Sequence, residues 1–366
     1  MRRVSPPTAA PADQAHDFLA AYTAPITAAL EQLLTALPAD APGVAASPTA
    51  RLALDRLREY SLRPGKRLRG TLAAAAYDQT AGTTFDPVGI TLGAVQELLQ
   101  SYLLIIDDVM DDAPLRRGKP SMHTLYEAEA GTHHGQTPAM LAVCVGMVAQ
   151  HLASVALADL PTAPARRVGV LCSVHTNLVS TWAGQMEDLA QRTHPALTAD
   201  DILRTYALKT GYYTFVGPLQ AGLALAGATD PVVLATVRRF GEAAGVAFQL
   251  QDDLLDCAVE ADTGKPQGTD LQEGVQTLLA MHVREHGRAA DRAALRHLLG
   301  NTRLTRADID RARQMFADSG ATAYVTATAQ QYAERAKREL AEVSIWDGAF
   351  KATLSRIVDY AMQRRR

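Results

Sequence analysis

The sequence predicts an all-α protein, and three observations carry that prediction. Apolar residues recur at helical spacing through most of the chain from about residue 14 onward. Alanine and leucine, both good helix formers, dominate those stretches. Strand signals are nearly absent: there is little apolar/polar alternation and no Asn-Gly or Asp-Gly hairpin turn.

Taken in order, helices are expected over 14–37, 48–60, 67–81, 88–111, 137–158, 165–190, 199–227, 230–257, 273–286, 305–317, 319–342 and 347–363. The breaks have chemical causes. Pro64-Gly65 ends one segment, Pro114 follows an acidic cluster, and Pro161 with Pro164 separates two long helices. Thr198 with Asp201, and Thr305 with Asp308, have capping-box spacing, with Asp in place of the usual Glu. Segments 90–106 and 139–158 are apolar on almost every face, as expected of central helices surrounded by others. No Gly/Ser linker or shift in composition divides the chain, so residues 14–366 are expected to form one large helical domain. Residues 1–13, interrupted by Pro6, Pro7 and Pro11, are expected to be a disordered tail rather than a leader peptide.

Bulk properties exclude several classes. A net charge of -3 with 48% hydrophobic residues is an ordinary globular balance and gives no basic surface for nucleic acid. Cys144, Cys172 and Cys257 lack metal-ligand spacing and suit a reducing compartment, so a cytoplasmic protein is expected. The apolar run from Ala139 to Leu160 is broken by Gln150 and His151 and predicts a buried helix rather than a membrane span.

Two acidic clusters resist a folding explanation. Asp107, Asp108, Asp111 and Asp112 follow the apolar run Leu103-Leu104-Ile105-Ile106, and Asp252, Asp253 and Asp256 follow Gly245–Gln251. On a helix Asp107 and Asp111 lie one turn apart, and like charges at that spacing destabilise it by roughly 0.2–0.5 kcal/mol a pair. Both clusters also sit at a helix C-terminus, where the macrodipole disfavours acids. One DDxxD is weak evidence, but two emerging from apolar helices are not. Carboxylates without His or Cys favour magnesium over zinc, and magnesium completes its shell with water and substrate phosphates. No protein cation is expected close enough to neutralise these acids. Basic groups accompany them along the chain: Lys66, Arg67 and Arg69 at a helix start, Arg116-Arg117 after the first cluster, then Lys209 and Lys265. Together these groups supply what two diphosphates need.

At this point the chain resembles the trans-prenyl diphosphate synthases. Glu97 through Asp111 with Arg116-Arg117-Gly118-Lys119-Pro120 resembles the family's first aspartate-rich region, and Gly245 to Asp256, with Phe248 and Gln249, resembles the second. Gly65-Lys66 with Arg69, Gly184-Gln185 through Asp188-Leu189, and Lys209-Thr210 fall in the family's order, so the resemblance spans about 60–285. It implies an all-α bundle around a deep central cavity, usually as a homodimer. It implies that Asp107, Asp108, Asp111, Asp252, Asp253 and Asp256 hold several Mg2+ ions on an allylic diphosphate contacted by Arg116, Lys209 and Lys265. Lys66, Arg69, Gln100 and Arg117 would bind isopentenyl diphosphate, and Thr210 and Gln249 belong to the substrate-binding motifs. Ionisation of the allylic diphosphate in a dry apolar pocket, attack by isopentenyl diphosphate and loss of a proton would then need no side-chain nucleophile.

Three departures from the family pattern bear on function. Ile106 and Gln100 stand where many relatives carry His, Gln100 matching the farnesyl synthase variety, and Val275 stands where a lysine is usual after the second region. The basic end, Arg364-Arg365-Arg366, is similar to the C-terminus that folds over diphosphate in farnesyl synthases. For chain length, Tyr102 lies five residues before Asp107, somewhat over one turn deeper, and should meet the growing chain, while Leu103 leaves more room. One aromatic at this depth implies geranylgeranyl diphosphate, with farnesyl diphosphate as the alternative. Terpene cyclases, which usually replace the second DDxxD, and non-catalytic regulatory subunits, which tend to lose aspartates or the basic site, are the rival readings.

Overall fold

A computed structural model describes residues 11–36, 44, 47–130, 135–193, 197–258 and 267–363. Helices account for nearly all of them. The described residues divide into two compact units, one within 17–174 and 218–229, the other within 11–16, 175–217 and 230–363.

The first unit contains most of α1 (Pro11–Ala36), then α2 (Pro48–Leu62), α3 (Leu68–Ala81), α4 (Pro87–Met110), α5 (Met122–Ala130) and α6 (Thr137–Ala158). The long α7 (Pro164–Gln191) runs through the boundary between the units. α4 is the axis of this unit. Asp86 caps it by accepting from Val88 N (2.8 Å), and Pro87 occupies the first turn, where its missing N–H is no loss. Leu92, Leu98 and Ile105 of α4 are wholly buried, each contributing roughly 1.5–3 kcal/mol of burial free energy.

α6 departs from the expected all-round burial. Its small residues Ala142, Gly146, Ala149 and Ala153 turn inward, and a Cβ at Gly146 would lie 2.9 Å from Ile106 Cδ1. Its Met140, Met147, Val148 and Val155 are exposed. α4 and α6 are both long and apolar enough to cross a membrane, but α4 is largely buried whereas α6 has only one face in the core.

Between α4 and α5 the chain forms a hairpin that the sequence signals did not predict: β1 (Leu115–Arg116) pairs antiparallel with β2 (Lys119–Pro120). Its turn is Arg117-Gly118, both with positive φ (55° and 72°), so an arginine occupies the left-handed position usually given to Asn or Asp.

The second unit holds the rest of α7, then α8 (Ala199–Tyr206), a π-helix (Ala207–Val216), α10 (Pro231–Asp256), α11 (Thr269–Glu273), α12 (Leu278–His286), α13 (Ala289–Leu298), α14 (Arg306–Asp318), α15 (Ala321–Ala341) and α16 (Gly348–Met362). α9 (Gly217–Ala226) leads back into the first unit. The expected single helix over 199–227 is therefore interrupted by ten residues of wider π turns. Glycines admit this backbone at close range: a Cβ at Gly245 would lie 2.1 Å from Gly211 Cα, and one at Gly184 would lie 2.3 Å from Lys209 N. Both capping boxes form as expected, at Thr198/Asp201 and Thr305/Asp308. α5, α11 and α13 were not expected, and the helix expected over 273–286 is the shorter α12.

Candidate active site

The first cluster closes α4. Asp107 and Asp108 lie in its last turn, Asp111 is the C-cap, and Asp112 takes a positive φ of 49° that releases the chain toward the hairpin. Asp108 is completely buried and fully bonded. Its Oδ2 accepts from the Tyr60 hydroxyl of α2 (2.8 Å), and its Oδ1 accepts from Arg116 Nε (2.7 Å) and Nη2. Arg116 Nη2 also lies 3.8 Å from Asp107 Oδ2. One guanidinium therefore offsets part of the cluster's charge from within, contrary to the expectation that no protein cation is close. The cause is the hairpin, which folds Arg116 back over the helix end. Burial pushes the Asp108 carboxyl up, against the pull of Arg116 and Tyr60.

Basic groups expected to bind isopentenyl diphosphate gather in the same unit. Gly65 gives room to Arg117, whose guanidinium carbon would lie 3.2 Å from a Cβ there, and Arg117 Nη1 donates to Arg63 O (3.1 Å). In the amide orientation that satisfies both neighbours, Gln100 accepts from Arg69 Nη1 (3.3 Å) and donates to Glu97 Oε2 (3.1 Å). Lys66 and Arg117 are exposed and Arg69 half-buried. Arg67 corrects the grouping of Lys66, Arg67 and Arg69 as anion binders. It is buried, donates to Ser61 O (2.9 Å), and pairs with the buried Glu97 at 3.5 Å. Tyr102 and Leu103 are both buried on α4, and Gly118 and Lys119 complete the exposed hairpin.

The second cluster closes α10, and here too the middle acid is withdrawn. Asp253 is 2% exposed; its Oδ2 accepts from the Tyr206 hydroxyl and its Oδ1 from Gln249 Nε2 (3.0 Å). Gln249 in turn accepts from Thr210 Oγ1 (2.7 Å), so the π-helix and α10 share one hydrogen-bonded chain. Lys209 Nζ donates to Asp188 Oδ2 of α7 (3.0 Å). Asp256 accepts from Thr269 N (3.1 Å), Thr269 Oγ1 (2.6 Å) and Asp270 N (3.2 Å), tying the end of α10 to α11. Burial pushes the Asp253 and Asp270 carboxyls up, and neighbouring carboxylates add to both. Asp107, Asp111, Asp252 and Asp256 are all partly exposed.

The structure thus joins Thr210, Gln249 and Asp253 in one network, Arg116 with Asp107 and Asp108 in another, and Arg69 with Gln100 in a third. Lys265 and Arg364–Arg366 lie outside the described residues. Residues that sequence reasoning left without a role are Tyr60, Tyr206, Asp188, Arg192 and Asp270. Arg192 donates to Asp188 Oδ2 (3.3 Å) and lies 3.9 Å from Glu273, two residues before Val275. Tyr206 was findable, being one helical turn before Lys209, and Arg192 one turn after Asp188. Tyr60 had no local signal, because its partner is 48 residues away. Among the described residues no three His, Cys, Asp or Glu side chains form a ready-made metal cage. Carboxylate donors without a closed cage fit a hard cation that brings water and phosphate ligands with it.

Comparisons with known proteins give the family and the fold. The sequence pattern of the polyprenyl synthetase family matches residues 52–316. A short chain isoprenyl diphosphate synthase of Methanothermobacter thermautotrophicus is 29% identical over 82% of this chain and 86% of its own. A geranylfarnesyl diphosphate synthase of Aeropyrum pernix is 30% identical over 85% of this chain and 95% of its own. The crystal structure of a geranylgeranyl pyrophosphate synthase from Corynebacterium glutamicum, complexed with isoprenyl diphosphate and magnesium, superposes with a TM-score of 0.85. It is 24% identical and covers 96% of this chain and 99% of its own, a likeness of fold.

Proposed function

The chain belongs to the polyprenyl synthetase family and is a trans-prenyltransferase, and from that premise we propose that it condenses isopentenyl diphosphate with an allylic prenyl diphosphate to give geranylgeranyl diphosphate. The observation that carries the reading is the pair of helices, α4 and α10, each ending in partly exposed aspartates beside hydrogen-bonded basic or polar partners. Asp107 and Asp111, and Asp252 and Asp256, present carboxylates that would hold magnesium against diphosphate. Magnesium there would stabilise the diphosphate charge as the allylic bond ionises. Lys209 stands on the second cluster's side, and Lys66, Arg69, Gln100 and Arg117 offer donors for isopentenyl diphosphate. The buried apolar length of α4 keeps water from a growing prenyl chain.

The test is to incubate the purified chain with magnesium, isopentenyl diphosphate and dimethylallyl, geranyl or farnesyl diphosphate, then hydrolyse and chromatograph the products. A linear prenyl alcohol supports the reading. A cyclic hydrocarbon would indicate a cyclase, and no product a non-catalytic subunit. Tyr102→Ala should lengthen the product; an active variant with an unaltered distribution removes the basis of the length assignment. A second reading, geranylfarnesyl diphosphate as product, is favoured by the name of the A. pernix relative. We further propose a homodimer, supported by the exposed Met140, Met147, Val148 and Val155 of α6, and a cytoplasmic location, supported by three cysteines without metal-ligand or disulfide spacing. Met147→Asp should then lower the mass measured by light scattering toward that of one chain.

A further inference from the structure

We infer that Tyr60 and Tyr206 are positioning residues, each pinning the buried second aspartate of a cluster so that its neighbours are aimed at the metal. The inference rests on the proposed metal-binding role of those neighbours and concerns residues outside it. Two separate parts of the chain show the same device. A tyrosine on an earlier helix donates to Oδ2 of the second aspartate, from 48 residues upstream in one case and 47 in the other. Both tyrosines are buried, at 3% and 6% exposure, and both acceptors nearly sealed, at 0% and 2%. The remaining oxygen is also engaged, by Arg116 on Asp108 and by Gln249 on Asp253.

A carboxylate with both oxygens bonded and no surface cannot receive a hydrated magnesium ion without dismantling its own contacts, and magnesium sheds water reluctantly. Asp108 and Asp253 are therefore anchors rather than ligands. What they anchor follows from helix geometry. Residues one and three positions away, Asp107 and Asp111 or Asp252 and Asp256, share a neighbouring face one turn apart. Helix ends fray, and like charges one turn apart favour unwinding. A hydroxyl from another helix, bonded within that last turn, fixes its rotation about the axis and hence the direction of the flanking carboxylates. Groups bonded directly to a metal ligand typically alter affinity by about 10–100-fold when removed, and groups that hold a ligand's neighbour are expected at the lower end of that range.

The test is calorimetric titration of magnesium chloride in the presence of inorganic diphosphate, with circular dichroism and melting temperature recorded for each variant. Tyr60→Phe and Tyr206→Phe should each raise the magnesium concentration for half-saturation by about ten-fold or more while the helical spectrum is unchanged. Tyr22→Phe is the control. It removes a buried tyrosine–aspartate bond of the same kind, to Asp78 (2.9 Å), in which no residue of either cluster takes part. It should lower the melting temperature without moving the magnesium requirement. Should Tyr60→Phe fail to fold, the pair Tyr60→Phe with Asp108→Asn, which leaves no carboxylate short of a donor and keeps an amide oxygen for Arg116, carries the same expectation. An unchanged magnesium requirement in the tyrosine variants overturns the inference, as does an equal shift in Tyr22→Phe. Failure of the underlying proposal looks different: Asp107→Ala and Asp252→Ala would then bind magnesium and diphosphate as the parent chain does.

Discussion

α4 and α10 are built alike and neutralised differently. Each begins with an aspartate cap followed by proline, runs for 24 or 26 residues, and ends in a DDxxD whose second acid is buried under a tyrosine. At the end of α4 the buried acid has a guanidinium on it. At the end of α10 its partners among the described residues are a neutral amide and a hydroxyl, with the cations Lys209 and Arg192 bonded to Asp188. The same five-residue motif thus sits in an ionic clamp at one site and in a hydrogen-bonded chain at the other. Sequence motif fixes which groups are present, but the surrounding fold decides how their charge is carried.

The largest effects should come from the partly exposed acids. Asp107→Ala and Asp252→Ala should each lower turnover by orders of magnitude with little change in circular dichroism, and excess chelator should stop the reaction. If turnover persists in chelator after verified metal removal, the metal reading fails for both clusters. Next, Arg116→Leu should destabilise the chain by about 3 kcal/mol, the low end for breaking a buried ion pair, because the guanidinium is 30% exposed. The midpoint of urea unfolding measures it. Gln249→Leu, the matching change at the second cluster, removes a neutral donor and should cost less, roughly 1–3 kcal/mol. Equal losses in the two variants would erase the distinction between clamp and chain. The smallest effect is expected of Thr269→Val, which takes one hydroxyl from Asp256 while leaving the backbone donors, about 1 kcal/mol by the same unfolding experiment.

The helices that carry the clusters were the most legible elements, expected over 88–111 and 230–257 and found over 87–110 and 231–256. Proline and aspartate mark their starts, and long apolar periodicity their course. α5 was missed because nine residues give too little periodicity, and the hairpin because its turn uses Arg117 where a small polar residue is usual. At the site, local spacing brought the acids, Lys209 and Thr210 within view. It could not show that Arg116 returns onto Asp108, or that Arg67 is buried against Glu97 while Lys66 is exposed beside it. Those outcomes depend on partners eight and thirty residues away.

The π-helix has a consequence for how this chain tolerates changes of length. Ten residues of wider turn are, in register, an α-helix that has accepted an extra residue. Deleting one residue between Tyr206 and Lys209 would let the segment close to ordinary α turns without removing any side chain named at the site. It would also bring Tyr206 one residue nearer to Lys209 and Thr210 along the helix and change the angle between their side chains. The bond to Asp253 and the contact with Asp188 could no longer form together. A one-residue deletion here should therefore be more damaging than most substitutions nearby.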